Sequence, residues 1–321
     1  MNDFGSYKSN QTNACVSIVI PAYNHCEYLS ESISSVLDQD YSNIELIVLN
    51  DGSTDATEDV LKGFSDEFYW ETQDNIGQAN TLNKGWNIAK GEILSYLSAD
   101  DVLEKCAVRS SIEQLNKYQT MIMTYCDFNI INENSNIIKV SRRPEYNFYE
   151  ILVNQNCMPG PGVFFKRSAY KKAGPWNPKF IQMPDYEFWL RLGLTGDFLH
   201  IPKVLASFRI HDESQTFSIP SVEKAGEPIS IISSFFKLSS IPPKIKLFKN
   251  NALSNAYIFS AQMHLKAGRY NYAFCNIWES IKLNPLNSIK FKSFYMLLHG
   301  LLSRPKHILY RKISNTLKLR H

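Results

Sequence analysis

No apolar run in the 321 residues approaches the roughly 18–20 that a membrane-crossing helix needs. The first thirteen residues are polar and lack the apolar core of a signal peptide. There is no Cys-x-x-Cys pair. The six cysteines stand at 15, 26, 106, 126, 157 and 275 without metal-ligand spacing, so reduced thiols are expected. Net charge is small, +3 from 34 Lys and Arg against 31 Asp and Glu, and gives no reason to expect a nucleic-acid partner. No Gly-x-Gly-x-x-Gly follows the first apolar run, which argues against a dehydrogenase. What the chain does have is 44% hydrophobic and 13% aromatic residues with scattered Gly and Pro, which excludes a disordered or collagenous polymer. A chain of this length is expected to form one large domain or two of ordinary size, and to be cytoplasmic, with peripheral attachment to the inner face of the membrane left open.

The apolar pattern predicts alternating strands and helices. Val16 to Ile20 is a β-branched run stopping at Pro21, and Ile44 to Leu49 is a second, ending at Asn50-Asp51-Gly52-Ser53. Between them Glu27 to Leu37 repeats its apolar residues every three or four positions, as a helix does. A helix from about Asp55 to Phe64, a strand near Tyr69 to Thr72, a helix over Gln78 to Ala89 and a strand at Ile93 to Leu97 follow. Beyond a helix at Ala107 to Lys117, strands are predicted at Met121 to Phe128, Gly162 to Phe165 and Val204 to Ile210, with a helix from Asp185 to Leu194. This alternation implies an α/β fold with a Rossmann-like, mostly parallel sheet flanked by helices. Ligands bind beyond the carboxyl ends of such strands, and Asn24, Asp51, Asp100 and Asp101 are collected there.

Four aspartates and one histidine carry candidate chemistry. Adjacent carboxylates such as Asp100-Asp101 repel each other, so a hard divalent cation, Mg²⁺ or Mn²⁺, is a natural partner; a solvated turn is the plain alternative. Asp51 can accept a nucleobase imide N–H or form an ordinary Asx-turn before the next helix. Asp185, near a helix start among aromatic residues, can act as a general base or as a simple cap. His211, after the last strand, can ligate a metal or cap the chain.

Taken together, Val16-Ser17-Ile18-Val19-Ile20-Pro21-Ala22-Tyr23-Asn24, Asn50-Asp51-Gly52-Ser53-Thr54-Asp55, Asn75-Ile76-Gly77-Gln78, Leu82-Asn83-Lys84-Gly85, Ser98-Ala99-Asp100-Asp101, Pro161 to Arg167, Asp185 to Arg191 and Phe208-Arg209-Ile210-His211 resemble a family-2 glycosyltransferase over about residues 15–216. The resemblance implies a GT-A fold and an enzyme that moves a sugar with inversion from a nucleotide-diphosphate donor, UDP- or dTDP-linked, to a sugar or lipid-linked acceptor in surface polysaccharide or glycan assembly. It implies that Pro21, Ala22, Tyr23, Asn24 and Asp51 hold the nucleoside. Asp100 would then contact ribose or sugar, Asp101 would hold the metal with His211 as a further ligand, and Asp185 would be the catalytic base. Family members often carry Arg where Leu82 stands, so the donor contact passes to Gln78, Asn83 or Lys84. They also often carry an acidic residue at the position of Asn50 and Glu at that of Pro184. A nucleotidyltransferase and a non-catalytic nucleotide-sugar-binding module are the competing readings; the first lacks its Gly-rich triphosphate loop after the first strand.

The texture changes beyond residue 220. Four divisions are expected: a tail over 1–14, the α/β domain over 15–220, a connector over 221–250 marked by Pro228, Pro242 and Pro243, and a helical region over 251–321. Ala252 to Pro285 resembles one tetratricopeptide-type helix pair. From Ile281 onward there are nine Lys or Arg and no Asp or Glu, interleaved with aromatic and aliphatic residues. That stretch suits a peripheral contact with anionic lipid, or a helical cap with its basic side in water.

Overall fold

The computed structural model describes residues 13–64, 67–211, 219–288 and 292–302. In chain order the elements are β1 (Val16–Ala22), α1 (Cys26–Leu37), β2 (Ile44–Asp51), α2 (Thr57–Gly63), β3 (Tyr69–Gln73), α3 (Gln78–Ile88), β4 (Ile93–Tyr96), β5 (Val102–Leu103), α4 (Ala107–Lys117), β6 (Met123–Ile131), β7 (Ile137–Ser141), α5 (Phe148–Leu152) and β8 (Phe164–Lys166). They continue as α6 (Arg167–Ala173), α7 (Pro184–Gly193), β9 (Phe198–Arg209), α8 (Val222–Phe235), α9 (Pro243–Lys246), α10 (Lys249–Lys266), α11 (Tyr270–Leu283) and α12 (Pro285–Ser288). A further helical stretch spans 292–302.

Among the described residues one nine-stranded sheet forms, in the order β3-β2-β1-β4-β8-β6-β9-β5, with β7 on β6. β1 runs parallel to β2 and β4, β2 to β3, and β6 to β9. The short β8, β5 and β7 join antiparallel, so parallel ladders carry most of the registered residue pairs. β1 is buried along its whole length because helices cover the sheet around it, which is why it reads as an unbroken β-branched run rather than an alternating one. Ile18, Ile20, Leu29, Ile33, Val48, Val108 and Ile112 build the main core between strands and helices. The mixed α/β sheet with its flanking helices is the GT-A-type architecture expected from the sequence.

The chain divides into two compact units. The first comprises Met1–Tyr146, Met158–Trp176 and Thr195–His211, and contains the whole sheet. The second opens at Asp212 but also takes in Asn147–Cys157 and Asn177–Leu194, stretches that the sequence pattern groups with the 15–220 domain. Within the expected connector over 221–250 lie the fourteen-residue α8 and the short α9. Pro228 sits inside α8, buried, so a residue that usually punctuates a chain is here accommodated by a helix. Most of the expected 1–14 tail and most of the basic carboxyl-terminal stretch lie outside the described residues. No helix among the described residues is long and apolar enough to cross a membrane.

Candidate functional site

In the first unit the carboxyl ends of β1, β2 and β4 deliver the expected polar residues. Asp51, last residue of β2, is buried, and its carboxylate is the knot of the adjoining loop. Oδ1 accepts from Gln73 Nε2 at 2.9 Å and Ile76 N–H at 2.9 Å, while Oδ2 accepts from Gly77 N–H at 2.9 Å. Each carboxylate oxygen has room for about two donors, so Oδ2 keeps capacity for one more, such as a nucleobase imide. The Asx-turn expected of Asp51 is made by its neighbour instead: Asn50 Oδ1 accepts from Ser53 N–H at 3.2 Å, while the Asp51 carboxylate orders the loop after β3.

Gln73 is the residue that sequence reasoning missed here. It also donates to Thr81 Oγ1 at 3.0 Å and accepts from Lys84 Nζ at 2.8 Å, so Lys84 reaches Asp51 only through this amide. Lys84 pairs in addition with Glu71. Asn83 is engaged as well, exchanging two 2.8 Å hydrogen bonds with the backbone of Trp176. Leu82, where an Arg was the family expectation, is fully buried on α3. Of the three residues offered in its place, only Gln78 stands exposed, at the first turn of α3.

Pro21 and Ala22 end β1, and Tyr23 follows with its ring half exposed. Asn24 turns the chain at a positive φ of 55°; its Oδ1 accepts from Thr54 N–H at 2.8 Å and its own N–H donates to Ser53 Oγ at 3.0 Å. Asn24 therefore ties the loop after β1 to the loop after β2. Gly52, in the loop after β2, has φ +72°, and a Cβ there would meet Asn75 N of the loop after β3 at 2.7 Å, so only glycine fits. Asp55 completes the tie by accepting from Cys26 N–H and Thr57 N–H, both at 3.0 Å. Burial opposes its ionised form, but these donors and the Thr57 hydroxyl hold its carboxyl below the ordinary value.

After β4, the acidic pair splits in role. Asp101 is buried, and its Oδ1 accepts the backbone N–H of Arg209 at 3.0 Å. Burial first, and the Asp100 charge second, push its carboxyl well above the usual range. Asp100 is less enclosed, and its Oδ2 lies 3.1 Å from His211 Nε2. Arg209 was quoted in the sequence motif without a role; it is fully buried and holds this corner together. Its Nε donates to Asp100 O at 2.8 Å, Nη1 to Asn132 O at 3.1 Å and Nη2 to Glu31 Oε2 at 2.6 Å, with its guanidinium over the Tyr28 ring. Tyr28 in turn lies against the His211 ring at 5.0 Å.

Among the described residues no three His, Cys, Asp or Glu side chains gather as a ready metal cage. Asp100, Asp101 and His211 nevertheless suit a hard cation that completes its shell with phosphate and water. The observation behind this fit is the donor set: Asp100 Oδ2 and His211 Nε2 stand 3.1 Å apart beside the adjacent carboxylate of Asp101, oxygen and nitrogen donors that a divalent cation would accept. A cavity of about 440 Å³ opens near the amino ends of β1 and β4, against Ala14, Glu92, Ile93, Arg167 and Lys171, and includes none of the candidate site residues.

Asp185 belongs to the second unit. It lies in the first turn of α7, directly after Pro184 at the first helical position, where the missing proline N–H costs nothing. Its Oδ1 accepts from the Tyr186 N–H at 2.8 Å. Burial raises its carboxyl above the ordinary value, against the pull of that N–H. Tyr186 and Trp189 are buried beside it, and Glu187 and Arg191 form a two-bond pair one turn apart.

Residues 17–174 match the family model described as "Glycosyl transferase family 2". An uncharacterized glycosyltransferase of Rickettsia typhi is 30% identical over 217 residues, which cover 65% of this chain and 68% of the relative. The chondroitin synthase of Pasteurella multocida is 27% identical over 249 residues, 76% of this chain but 26% of that much longer protein. Among solved structures, S. aureus TarS 1-349 in complex with UDP-GlcNAc superposes with a TM-score of 0.62 at 14% identity, over 85% of this chain and 91% of that one. A mannosyltransferase from Pyrobaculum calidifontis in complex with GDP-Man and Mn²⁺ gives 0.59 at 14% identity, over 93% and 88%. The two structures share the fold, and the Rickettsia relative shares the sequence along two thirds of its length: the chain belongs to glycosyl transferase family 2.

Proposed function

We propose that the protein is an inverting, divalent-metal-dependent glycosyltransferase that takes a sugar from a UDP- or dTDP-linked donor to an acceptor hydroxyl in surface polysaccharide or glycan assembly. The observation that carries this reading is the pairing, in one unit, of a strand-end carboxylate with a spare acceptor position at Asp51 and an acidic couple joined by histidine at Asp100, Asp101 and His211. Uracil and thymine both present an imide N–H to Asp51, and Tyr23 offers the exposed ring beside it. Gln78 faces solvent where a donor would approach, and Lys84 is linked to Asp51 through the Gln73 amide. The TarS complex with UDP-GlcNAc supports a nucleotide-sugar donor, and the chondroitin synthase relative supports a polysaccharide product.

Chemically, cleavage of the anomeric bond leaves negative charge on the diphosphate. Bound Mg²⁺ or Mn²⁺, held by Asp101 with Asp100 and His211 beside it, supplies Lewis-acid stabilisation of that charge. Asp185 takes the proton of the attacking acceptor hydroxyl; its raised carboxyl is a better base than an ordinary aspartate, and one in-line displacement inverts the centre. Arg209 fixes the acidic corner by holding the Asp100 carbonyl and the Asp101 carboxylate at once. A lipid-linked acceptor fits a chain with a basic carboxyl-terminal stretch, which would bring the enzyme to an anionic membrane surface.

The test is a thermal-stability screen of UDP-, dTDP- and GDP-sugars with Mn²⁺, Mg²⁺ or EDTA, followed by nucleotide release from the best donor. The expected result is stabilisation by a uridine or thymidine donor only with metal, and an inverted anomeric product by NMR. Equal turnover in EDTA overturns the metal role, and a retained anomeric configuration overturns the displacement.

A further inference from the structure

Glu227 lies on α8, 44 residues beyond the loop that leads into α7. It is buried, and its carboxylate receives three successive backbone N–H groups. Ile181 N–H donates to Oε1 at 2.8 Å, Gln182 N–H to both oxygens at 3.0 and 2.8 Å, and Met183 N–H to Oε2 at 2.9 Å. Consecutive amides converging on one anion form a small nest, and charge-assisted bonds of this kind are about twice as strong as neutral ones. Local capping is missing at the same place. Met183, the N-cap of α7, makes no side-chain cap bond, and Pro184 has no N–H. The start of α7 is therefore fixed from a distant helix.

That helix is itself anchored. Ser221 caps α8 through Lys224 N–H at 3.2 Å, and Arg269 donates to Pro220 O at 2.8 Å and Ser221 O at 3.1 Å. On the far side of Asp185, the Tyr186 hydroxyl donates to Ile151 O at 2.9 Å. Asp185 thus stands between two clamps, all within the second unit.

We propose that Glu227 is a positioning residue for Asp185: it sets where α7 begins, and so where the carboxylate two residues past its last amide is presented. The proposal rests on the reading of Asp185 as the base. Glutamine cannot substitute, because its amide turns one of the two acceptors into a donor facing N–H groups. Aspartate keeps the charge but falls one methylene short.

The experiment compares wild type, Glu227→Gln, Glu227→Asp, Asp185→Asn and the double variant Asp185→Asn with Glu227→Gln. The readouts are amide exchange at 181–183, thermal stability, and nucleotide release from the donor that most stabilises wild type in the screen, assayed well below the melting temperature. In folded Glu227→Gln the 181–183 amides lose protection and kcat falls by about tenfold or more, while the donor KM stays within about twofold. Glu227→Asp recovers part of kcat. In the Asp185→Asn background, Glu227→Gln changes the residual rate by less than about twofold, because its effect runs through Asp185. Wild-type kcat in folded Glu227→Gln overturns the proposal, as does an equal slowing of the two backgrounds. Should neither Glu227 variant fold, fast exchange of the 181–183 amides in wild type overturns it, and slow exchange together with a folded, inactive Asp185→Asn supports it. Near-normal turnover by Asp185→Asn sinks the base assignment instead, and is read independently of the amide exchange.

Discussion

Asp51 and Asp185 are the same side chain in two settings. At the end of β2, Asp51 accepts three hydrogen bonds from an amide side chain and two backbone N–H groups. At the start of α7, Asp185 accepts from the N–H of its neighbour Tyr186, and burial leaves its proton affinity raised. A carboxylate held by many donors is suited to recognition and loop order, since each donor favours the charged form. One with few donors in a dry place keeps basicity and suits proton transfer. The proposed roles of the two aspartates follow this difference in donors, which the loops around each one determine.

The strongest way to break this comparison is Asp185→Asn. Shape is kept and basicity lost, so turnover should fall by on the order of 10²–10⁴-fold with donor-induced thermal stabilisation unchanged. The same pair of proteins gives the pH dependence. A raised carboxyl is ionised only above its shifted value, so wild-type kcat should decline on acidification at a pH above the ordinary aspartate value of about 3.9, and that limb should vanish from the residual rate of Asp185→Asn. A wild-type acid limb at the ordinary value would mean that burial does not tune Asp185.

A third aspartate sharpens the contrast. Asp127 on β6 is buried and accepts from Arg142 Nη1 at 2.8 Å and Arg143 N–H at 2.8 Å, with His200 Nε2 at 2.9 Å. Burial works against its charge, but these partners prevail and lower its carboxyl. A lowered folded-state value means stability present above the unfolded value and lost as pH falls through the folded one. Asp127→Ala should cost about 1–3 kcal/mol in urea unfolding at neutral pH, because His200 and the Arg143 N–H lose this acceptor, and the deficit should shrink below about pH 4. Asp51→Asn is expected to act on a smaller scale and elsewhere: the donor KM should rise by about tenfold with kcat of the saturated enzyme largely kept, since an amide nitrogen replaces one acceptor near the nucleobase. A fall in kcat alone would place Asp51 in the wrong class.

Much of this was legible before any coordinates. The strand runs at Val16, Ile44 and Ile93 stand out because strands buried on both faces need uninterrupted apolar residues, and their polar ends stand out by contrast. Asp51, Asp100 and Asp101 follow from that pattern. Gln73, Arg209 and Glu227 do not, because the bond that matters in each, to Asp51, Glu31 and Met183, spans 22 to 178 residues and carries no local spacing. β7 was missed since Ile137, Ile138 and Val140 are exposed on an edge strand and lack a buried alternation. α8 was hidden by Pro228, a residue that ordinarily marks a break. The interleaving of Asn147–Cys157 and Asn177–Leu194 with the second unit has no signature in composition, because both stretches are as apolar as the sheet domain around them.

The smallest expected effect concerns helices where, among the described residues, large apolar groups rather than charges stand exposed. α10 and α11 pack through small residues: Ala261 and Ala273 share a core with Leu265, and Ser254 bonds Ser280. Small residues on the inside leave the large ones of α11 outside. Tyr270, Phe274 and Trp278 recur every four positions, and Phe274 is 71% exposed. Tyrosine and tryptophan favour the boundary between water and lipid headgroups, and the basic sequence from Ile281 onward is complementary to anionic lipid. The double variant Phe274→Ser with Trp278→Ser should therefore lower partitioning onto phosphatidylglycerol vesicles by a few fold, about 1 kcal/mol at most, without changing release of nucleotide from a soluble donor. Unchanged partitioning, or equal binding to phosphatidylcholine vesicles, would mean that the stripe meets protein rather than membrane.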